Sequence, residues 1–335
     1  MRRTIAVLGA GSWGTALAVH LGRVGHDVRL WARDPALVAE MATRRANAVY
    51  LPGVGLPDSV VVTHAMDDAL PGAELVVSAI PSHGCRSVIR SAAPWLSARA
   101  TIVSATKGIE AGTMLRMSEV IVQETAAAHR VVVLSGPSFA IEVARQLPTA
   151  VLAASVDADA IELVQQEFRG PSLRLYGSDD VIGVEIGAAM KNIIAIAAGV
   201  VEGLGLGHNA LAALVTRGLA ELTRLACAAG GRRETLAGLS GLGDLVLTCT
   251  GTLSRNRHVG IELARGRTLP EILAGMKMVA EGVITTGAAL ELGARHGVEL
   301  PIATQMAEVL GGRSDVRTAI TALMLRPQRA EAETG

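Results

Sequence analysis

Aromatic side chains are nearly missing from this chain. Two Phe, three Trp and two Tyr make up 2% of 335 residues. That leaves little ring surface for stacking bases, and no basic-aromatic patch is present. An excess of one charge is missing too: 31 Lys plus Arg balance 31 Asp plus Glu. No net field therefore draws the protein to nucleic acid or an anionic membrane surface, and nucleic acid is excluded as an expected partner. Cysteine is scarce. Cys85, Cys227 and Cys249 are odd in number, widely scattered and without a C-x-x-C, which argues against a disulfide scaffold or a zinc site and fits reduced thiols in the cytoplasm. The eight histidines show no metal-ligand spacing and no H-E-x-x-H, so no metal is expected.

A long uninterrupted apolar run is also lacking. Met1-Arg2-Arg3 before an apolar stretch has the look of a signal peptide, but Gly9, Gly11 and Gly14 interrupt it and the stretch is needed as a first strand. The most apolar later segment, Ile186 to Val201, carries Lys191 and Asn192 near its middle and reads as too short to span a bilayer comfortably. The expectation is a soluble, cytoplasmic protein with no membrane insertion.

What is present begins at the N-terminus. Thr4-Ile5-Ala6-Val7-Leu8 runs into Gly9-Ala10-Gly11-Ser12-Trp13-Gly14 and then Thr15-Ala16-Leu17-Ala18-Val19-His20-Leu21. This reads as strand, tight turn and helix carrying G-x-G-x-x-G. In that context Gly9 allows the turn, Gly11 lets backbone approach a pyrophosphate, and Gly14 lets helix pack on strand. The first helical N–H groups then face the phosphates. A second strand, Asp27 to Trp31, follows at βαβ distance, and the motif predicts dinucleotide binding. NAD-selective sites place an acid at the tip of that strand; here the tip is Trp31-Ala32-Arg33, with Asp34-Pro35 arriving as a helix cap and first helical residue. Arg33 can pair with a 2′-phosphate, or it is a solvated loop residue. The tip suits NADP(H) and leaves NAD(H) open.

Further strand-like runs are Leu75–Ile80, Ala100–Ala105, Arg130–Leu134, Thr149–Ala154 and Leu173–Tyr176. Continuous apolar strands alternating with helices predict a mainly parallel α/β sheet covered on both faces, with ligands beyond the strands' carboxyl ends. From about Asp180 the composition changes to long alanine- and leucine-rich helices, with Gly230-Gly231 and Gly311-Gly312 as turns. The reading is a Rossmann-like dinucleotide-binding domain over residues 1–180, an all-helical substrate domain over 181–325, and a polar, disordered tail over 326–335. Apolar helical domains of this kind often pair, so a homodimer is expected.

Candidate chemistry concentrates in the helical half. Lys191 is the single ionisable residue in the segment from Ile186 to Ala198, so a helix there has no polar face to carry it to water. Burial would lower its pKa and fit it for acid/base work; snorkelling to solvent is the other reading. Asn192 beside it can hydrogen-bond a substrate hydroxyl or carbonyl, or be satisfied locally. In Gly241-Leu242-Gly243-Asp244-Leu245-Val246-Leu247-Thr248-Cys249-Thr250, Asp244 and Thr248 share a helical face. Asp244 either opens that helix as a cap or orients a lysine and a substrate hydroxyl. Ser254 reads as a helix cap, with Arg255 and Asn256 as donors suited to a phosphate monoester or as ordinary surface residues. Lys107 lies at a strand's carboxyl end. Cys249 has no partner that would make it a nucleophile.

Together these segments resemble the bacterial NAD(P)-dependent glycerol-3-phosphate dehydrogenases, from Ile5 to about Leu310. The resemblance rests on seven pieces in order: Gly9 to Ala16, Ser104-Ala105-Thr106-Lys107-Gly108-Ile109-Glu110, Ser135-Gly136-Pro137-Ser138-Phe139-Ala140, Met190-Lys191-Asn192, Gly241 to Leu245, Ser254-Arg255-Asn256-Arg257, and Ala280-Glu281-Gly282. It implies interconversion of sn-glycerol 3-phosphate and dihydroxyacetone phosphate, running toward reduction for glycerophospholipid synthesis. It implies Lys191 as general acid/base, Lys107 touching substrate and cofactor, and Gly136, Ser138 and Asp244 lining the pocket. By the same resemblance Ser254, Arg255 and Asn256 hold the substrate, chiefly its phosphate. Ser12, Trp13, Arg33, Tyr50, Ala140, Val279 and Glu281 become cofactor contacts, with Arg255 shared. Two alternatives are a hydroxy-acid dehydrogenase of the same superfamily, which has no need of Ser254-Arg255-Asn256, and a silent NADP-binding regulator, which would have lost Lys191 or Asp244.

Overall fold

A computed structural model describes residues 2–276, 278–328 and 330–331. Eight strands, β1 (Thr4–Leu8), β2 (Asp27–Trp31), β3 (Val60–Thr63), β4 (Leu75–Ser78), β5 (Thr101–Ser104), β6 (Val131–Ser135), β7 (Thr149–Ala154) and β8 (Leu173–Ser178), form one sheet in the order β3-β2-β1-β4-β5-β6-β7-β8. All neighbours run parallel except β6 and β7. The strand order reverses between β1 and β4, so a crevice opens at the carboxyl ends there. β4 and β5 are buried along their whole lengths, as the continuous apolar runs predict. β3 has no counterpart in the sequence reading. It is a short edge strand whose Val61 faces solvent, too brief to show alternation. β4 stops two residues earlier than expected, at Ser78, because Ala79 lies against the turn at Gly9.

After Ser178 the chain is helical through Met324. Asp180 caps the core helix Val181–Gly203 by accepting from the Gly183 N–H at 2.8 Å. This helix corrects one expectation. It is 23 residues long, enough to cross a bilayer, with a mean hydropathy of 1.7 over its most apolar window. What marks it as a core helix is burial: 89% of that window lies inside the fold. Helices Gly207–Ala228, Asp244–Thr250, Arg255–Ala264 and Glu281–Arg295 surround it.

The closest approach in this bundle is a glycine pair. A Cβ on Gly199 would lie 1.9 Å from the Arg257 carbonyl oxygen, and one on Gly260 would lie 1.9 Å from that of Ile196. Both obstacles are backbone, so the core helix and Arg255–Ala264 would have to separate. Gly199→Ala is therefore expected to destabilise the fold by about 3 kcal/mol, the upper part of the usual range for overpacking. A urea unfolding midpoint equal to the parent's would contradict this contact.

Positions 329 and 332–335 of the tail expected to be disordered lie outside the described residues. Arg326, its first residue, pairs with Glu299 at 3.2 Å.

Candidate active site

The glycines of the first turn divide their work. Gly9 has φ +109, and a Cβ there would stand 2.8 Å from the Ala79 carbonyl oxygen. At Gly14 a Cβ would fall 1.9 Å from the Gly9 carbonyl oxygen, so helix Ser12–Arg23 could not pack on the strand. Gly11 is different: a Cβ there would meet nothing within 4 Å. Packing within the chain does not require it, and its small size leaves open space beside the helix N-terminus. Among the described residues no backbone acceptor takes the N–H groups of Ser12, Trp13 or Gly14. A pyrophosphate fits these donors and that space.

Neighbouring side chains shape the same edge. Asn47 Nδ2 donates to the Ala10 carbonyl and to Thr15 Oγ1, both at 2.9 Å, and its Oδ1 accepts from the Tyr50 N–H at 3.0 Å. The Ser12 hydroxyl donates to the Tyr50 carbonyl at 2.5 Å and touches Met278 Sδ at 3.0 Å. Thus Ser12, Trp13, Tyr50 and the segment holding Val279 come together. Trp13 Nε1 is buried without a partner among the described residues. At the tip beyond β2, Arg33 is exposed, while Asp34 spends its carboxylate on the Ala36 N–H at 2.9 Å as the cap of Pro35–Arg44. The acid nearest the tip is thus committed to its own helix, and the arginine is free to reach outward. Ala140 begins the short helix Ala140–Ala144 after the β6 loop.

The chain has only three lysines, Lys107, Lys191 and Lys277. Two of them converge on Asp244. Lys191 Nζ lies 2.5 Å from Asp244 Oδ1 and donates to Thr248 Oγ1 at 3.0 Å. Lys107 Nζ lies 2.7 Å from Asp244 Oδ2 and donates to the Gly136 carbonyl at 3.3 Å. Asp244 opens helix Asp244–Thr250 but makes no side-chain capping bond, so both carboxylate oxygens are used by the lysines. Thr248, one turn on, returns its hydroxyl to the Asp244 carbonyl at 2.6 Å. Ser138 donates to the Gly136 carbonyl at 3.0 Å, which puts the β6 loop beside Lys107. Gly136 has φ +131 and no room for a Cβ against Val151.

Burial sets the electrostatics. Lys191 is 5% exposed, so snorkelling does not occur. Desolvation pushes its amine down to about 7; Asp244 opposes that shift and the nearby Lys107 adds to it. Burial pushes the Asp244 carboxyl up, but the two ammonium groups outweigh it and hold the carboxylate below its ordinary range. The Cys249 thiol is pushed up to about 12 by burial and stays protonated, as expected for a packing residue.

A second cluster ties the segment after β4 to the helical half. Glu281 accepts from the Ser82 hydroxyl at 2.5 Å and the Ser82 N–H at 3.2 Å, joining the start of Glu281–Arg295 to the start of Ser82–Ala92. Burial pushes its carboxyl up, against the pull of those bonds. The sequence places Ser82 in the polar cluster that ends a strand but gives it no role of its own. Ser254 does cap Arg255–Ala264, accepting from the Arg257 N–H at 3.3 Å, and Arg255 is exposed at that helix's first turn. Asn192 and Asn256 are committed to each other. Asn256 Nδ2 donates to Asn192 Oδ1 at 3.0 Å, and its Oδ1 accepts from the Gly282 N–H at 3.0 Å. Their amides tie three helices together, and the scarcity of lysine is the signal that would have sharpened Lys107 from the start.

The comparisons agree along most of the chain. A family model described as NAD-dependent glycerol-3-phosphate dehydrogenase N-terminus matches residues 4–161, and one described as its C-terminus matches residues 180–321. A glycerol-3-phosphate dehydrogenase NAD(P)+ of Koribacter versatilis is 56% identical over 271 residues, 80% of each chain. One of Geobacter metallireducens is 53% identical over 274 residues, 81% of this chain and 82% of its own. The crystal structure of glycerol-3-phosphate dehydrogenase from Coxiella burnetii superposes with a TM-score of 0.94 at 40% identity, covering 97% of this chain and 99% of that one. A dinucleotide loop, a lysine pair on one buried aspartate and matches to both halves of one family lead to one conclusion: the chain belongs to the NAD-dependent glycerol-3-phosphate dehydrogenases.

Proposed function

We propose that the protein interconverts sn-glycerol 3-phosphate and dihydroxyacetone phosphate with NADP(H) or NAD(H). It runs toward reduction and supplies glycerol 3-phosphate for glycerophospholipid synthesis. One observation carries the reading: a buried carboxylate gathers two of the chain's three lysines at the mouth of a dinucleotide fold.

The nicotinamide, when bound, supplies the hydride. Everything else falls to the chain's own residues. Lys191 donates a proton to the C2 oxygen during reduction and withdraws it during oxidation, and a pKa near neutrality suits both directions. Its ammonium also stabilises the developing alkoxide, in a site where low dielectric strengthens the effect. Asp244 holds Lys191 and Lys107 in one geometry, and Lys107 ties that geometry to the β6 loop with Gly136 and Ser138. The free N–H groups at the start of Arg255–Ala264 and the Arg255 guanidinium take the phosphate. Asn192, Asn256 and Thr248 hold the substrate wall through the bonds given above. Gly9, Gly11, Ser12, Trp13, Gly14, Arg33, Tyr50, Ala140, Val279 and Glu281 would hold the dinucleotide.

Arg255→Ala is expected to raise KM for dihydroxyacetone phosphate at least about tenfold, as removal of a charge-assisted bond costs roughly 1.5–3 kcal/mol, with a smaller change in kcat. An unchanged KM would move the phosphate site elsewhere. The whole reading is tested by following NADPH oxidation with dihydroxyacetone phosphate. No turnover, or equal turnover of unphosphorylated dihydroxyacetone, would overturn it. The hydroxy-acid alternative leaves Ser254-Arg255-Asn256 without a purpose, and a silent regulator has no use for the buried lysine pair. The same reading divides the chain near residue 180 and places a homodimer in the cytoplasm.

A further inference from the structure

The loop between β5 and helix Met117–Glu124 carries Lys107 near its start and Arg116 at its end. It closes on itself through the antiparallel bridge Ile109↔Arg116 and a Glu110 N–H bond to the Leu115 carbonyl at 2.9 Å. Arg86 grips it from outside, with two bonds to Glu110 at 2.8 and 2.7 Å. Its apolar residues Ile109 and Met114 do not join the sheet's core. They pack into the core of the helical domain, in the same cluster as Ile186, Ala189 and Met190.

At the end of this loop lies Glu185, 4% exposed, on the core helix that carries Lys191. Arg116 Nη1 donates to Glu185 Oε2 at 2.8 Å. The Ser118 hydroxyl donates to the same oxygen at 2.5 Å, and the Ser118 N–H to Oε1 at 2.8 Å. Both carboxylate oxygens are therefore spent on the other domain. The reaction scheme above gives Glu185 no task, yet a buried carboxylate is retained only when something satisfies it.

We propose that Glu185 and Arg116 form a positioning pair that fixes the core helix against the Lys107 loop, so that Lys191 and Lys107 meet on Asp244. The proposal rests on the reading of Lys191 as the acid/base group. The two lysine contacts of Asp244 differ in kind. Lys191 and Asp244 both belong to the helical domain, whereas Lys107 reaches Asp244 across the domain boundary. Loosening the pair should therefore withdraw Lys107 while leaving Lys191 on Asp244. The charged and titratable groups facing Lys191 are Asp244 and Lys107, with the neutral Cys249 thiol behind them. Those around Glu185 are Arg116, its second partner Glu119, and the neutral Cys85 thiol. Lys107 pushes the Lys191 amine down, so its withdrawal lets that amine rise.

Glu185→Gln keeps the size of the side chain and loses the charge. Its pH profile for dihydroxyacetone phosphate reduction should have its falling limb moved upward by about half a unit or more, the expected sign for losing a neighbouring cation. Its kcat should fall at least about tenfold, since ~1 Å of misplacement can cost ~100-fold. Arg116→Gln should give the same shift, and Arg116→Lys should restore most of the rate. Should Glu185→Gln fail to fold, Arg116→Gln is judged by the same criteria. A pH profile superimposable on the parent's, whatever happens to Tm, would overturn the proposal. With three lysines in the chain, NMR of labelled lysine side chains follows the Lys191 amine without substrate. If the parent fails to turn over dihydroxyacetone phosphate, the functional reading falls, and this titration still decides whether the pair sets the lysine.

Discussion

Replacing Lys191 by alanine should lower kcat about 10³-fold, within the usual 10²–10⁴ range for loss of a positioned general acid/base. The reasoning is geometric as well as chemical. The amine is almost wholly buried, held by Asp244 Oδ1 at 2.5 Å and Thr248 Oγ1 at 3.0 Å, with no second lysine among the described residues able to take its place. Lys107 already occupies the other carboxylate oxygen. That occupancy also protects the fold. Removing one partner of an isolated buried pair costs about 3–5 kcal/mol, but here Asp244 keeps a cation beside it and the cost should be smaller. The loss of rate should thus appear in a folded protein. Affinity for the coenzyme should barely change, because the bonds of Lys191 run to Asp244 and Thr248 and not to the glycine turn, Tyr50 or Arg33. Steady-state kinetics decide the matter, and a variant within tenfold of the parent dismisses the role.

Asp244→Asn carries the next largest effect, and its direction in pH is the telling part. With Lys191 in the proposed role, reduction needs its ammonium, so the parent's rate should fall as pH rises through the amine's pKa near 7. Oxidation needs the free amine and should rise through the same region. The Asp244 carboxylate opposes the burial that drives this pKa down. Without it, two lysines face each other across a neutral amide, and the Lys191 amine drops further. The falling limb of reduction should move to lower pH by about a unit or more, and the rate at neutral pH should drop about tenfold or more as the ammonium is depleted. Profiles of kcat against pH in both directions test this. A limb that moves upward would mean that Asp244 does not act on Lys191.

Much of this architecture is written locally. The glycine turn, the Asp34 and Ser254 caps and the shared face of Asp244 and Thr248 all depend on neighbours within one or two turns, where backbone geometry and hydrogen bonding leave few options. β3 escaped notice because four residues at a sheet edge have one solvated face and no room for periodicity. The core helix could be read as apolar, but its burial could not be told from its length. Asn192 and Asn256 stand 64 residues apart in the sequence, and only the packed bundle shows them bonded to each other.

By itself, the amino-acid order determined a dinucleotide turn, a parallel sheet, a helical second half and a lysine with no polar face to escape to. Spacing and hydropathy suffice for these because they express short-range sterics and the solvation of single segments. The tertiary structure alone decided that Lys107 and Lys191 share one carboxylate, that Arg116 reaches Glu185 across the domain boundary, and how far burial drives an amine toward neutrality. Those outcomes depend on which charges are removed from water together, and that is settled only when distant segments pack.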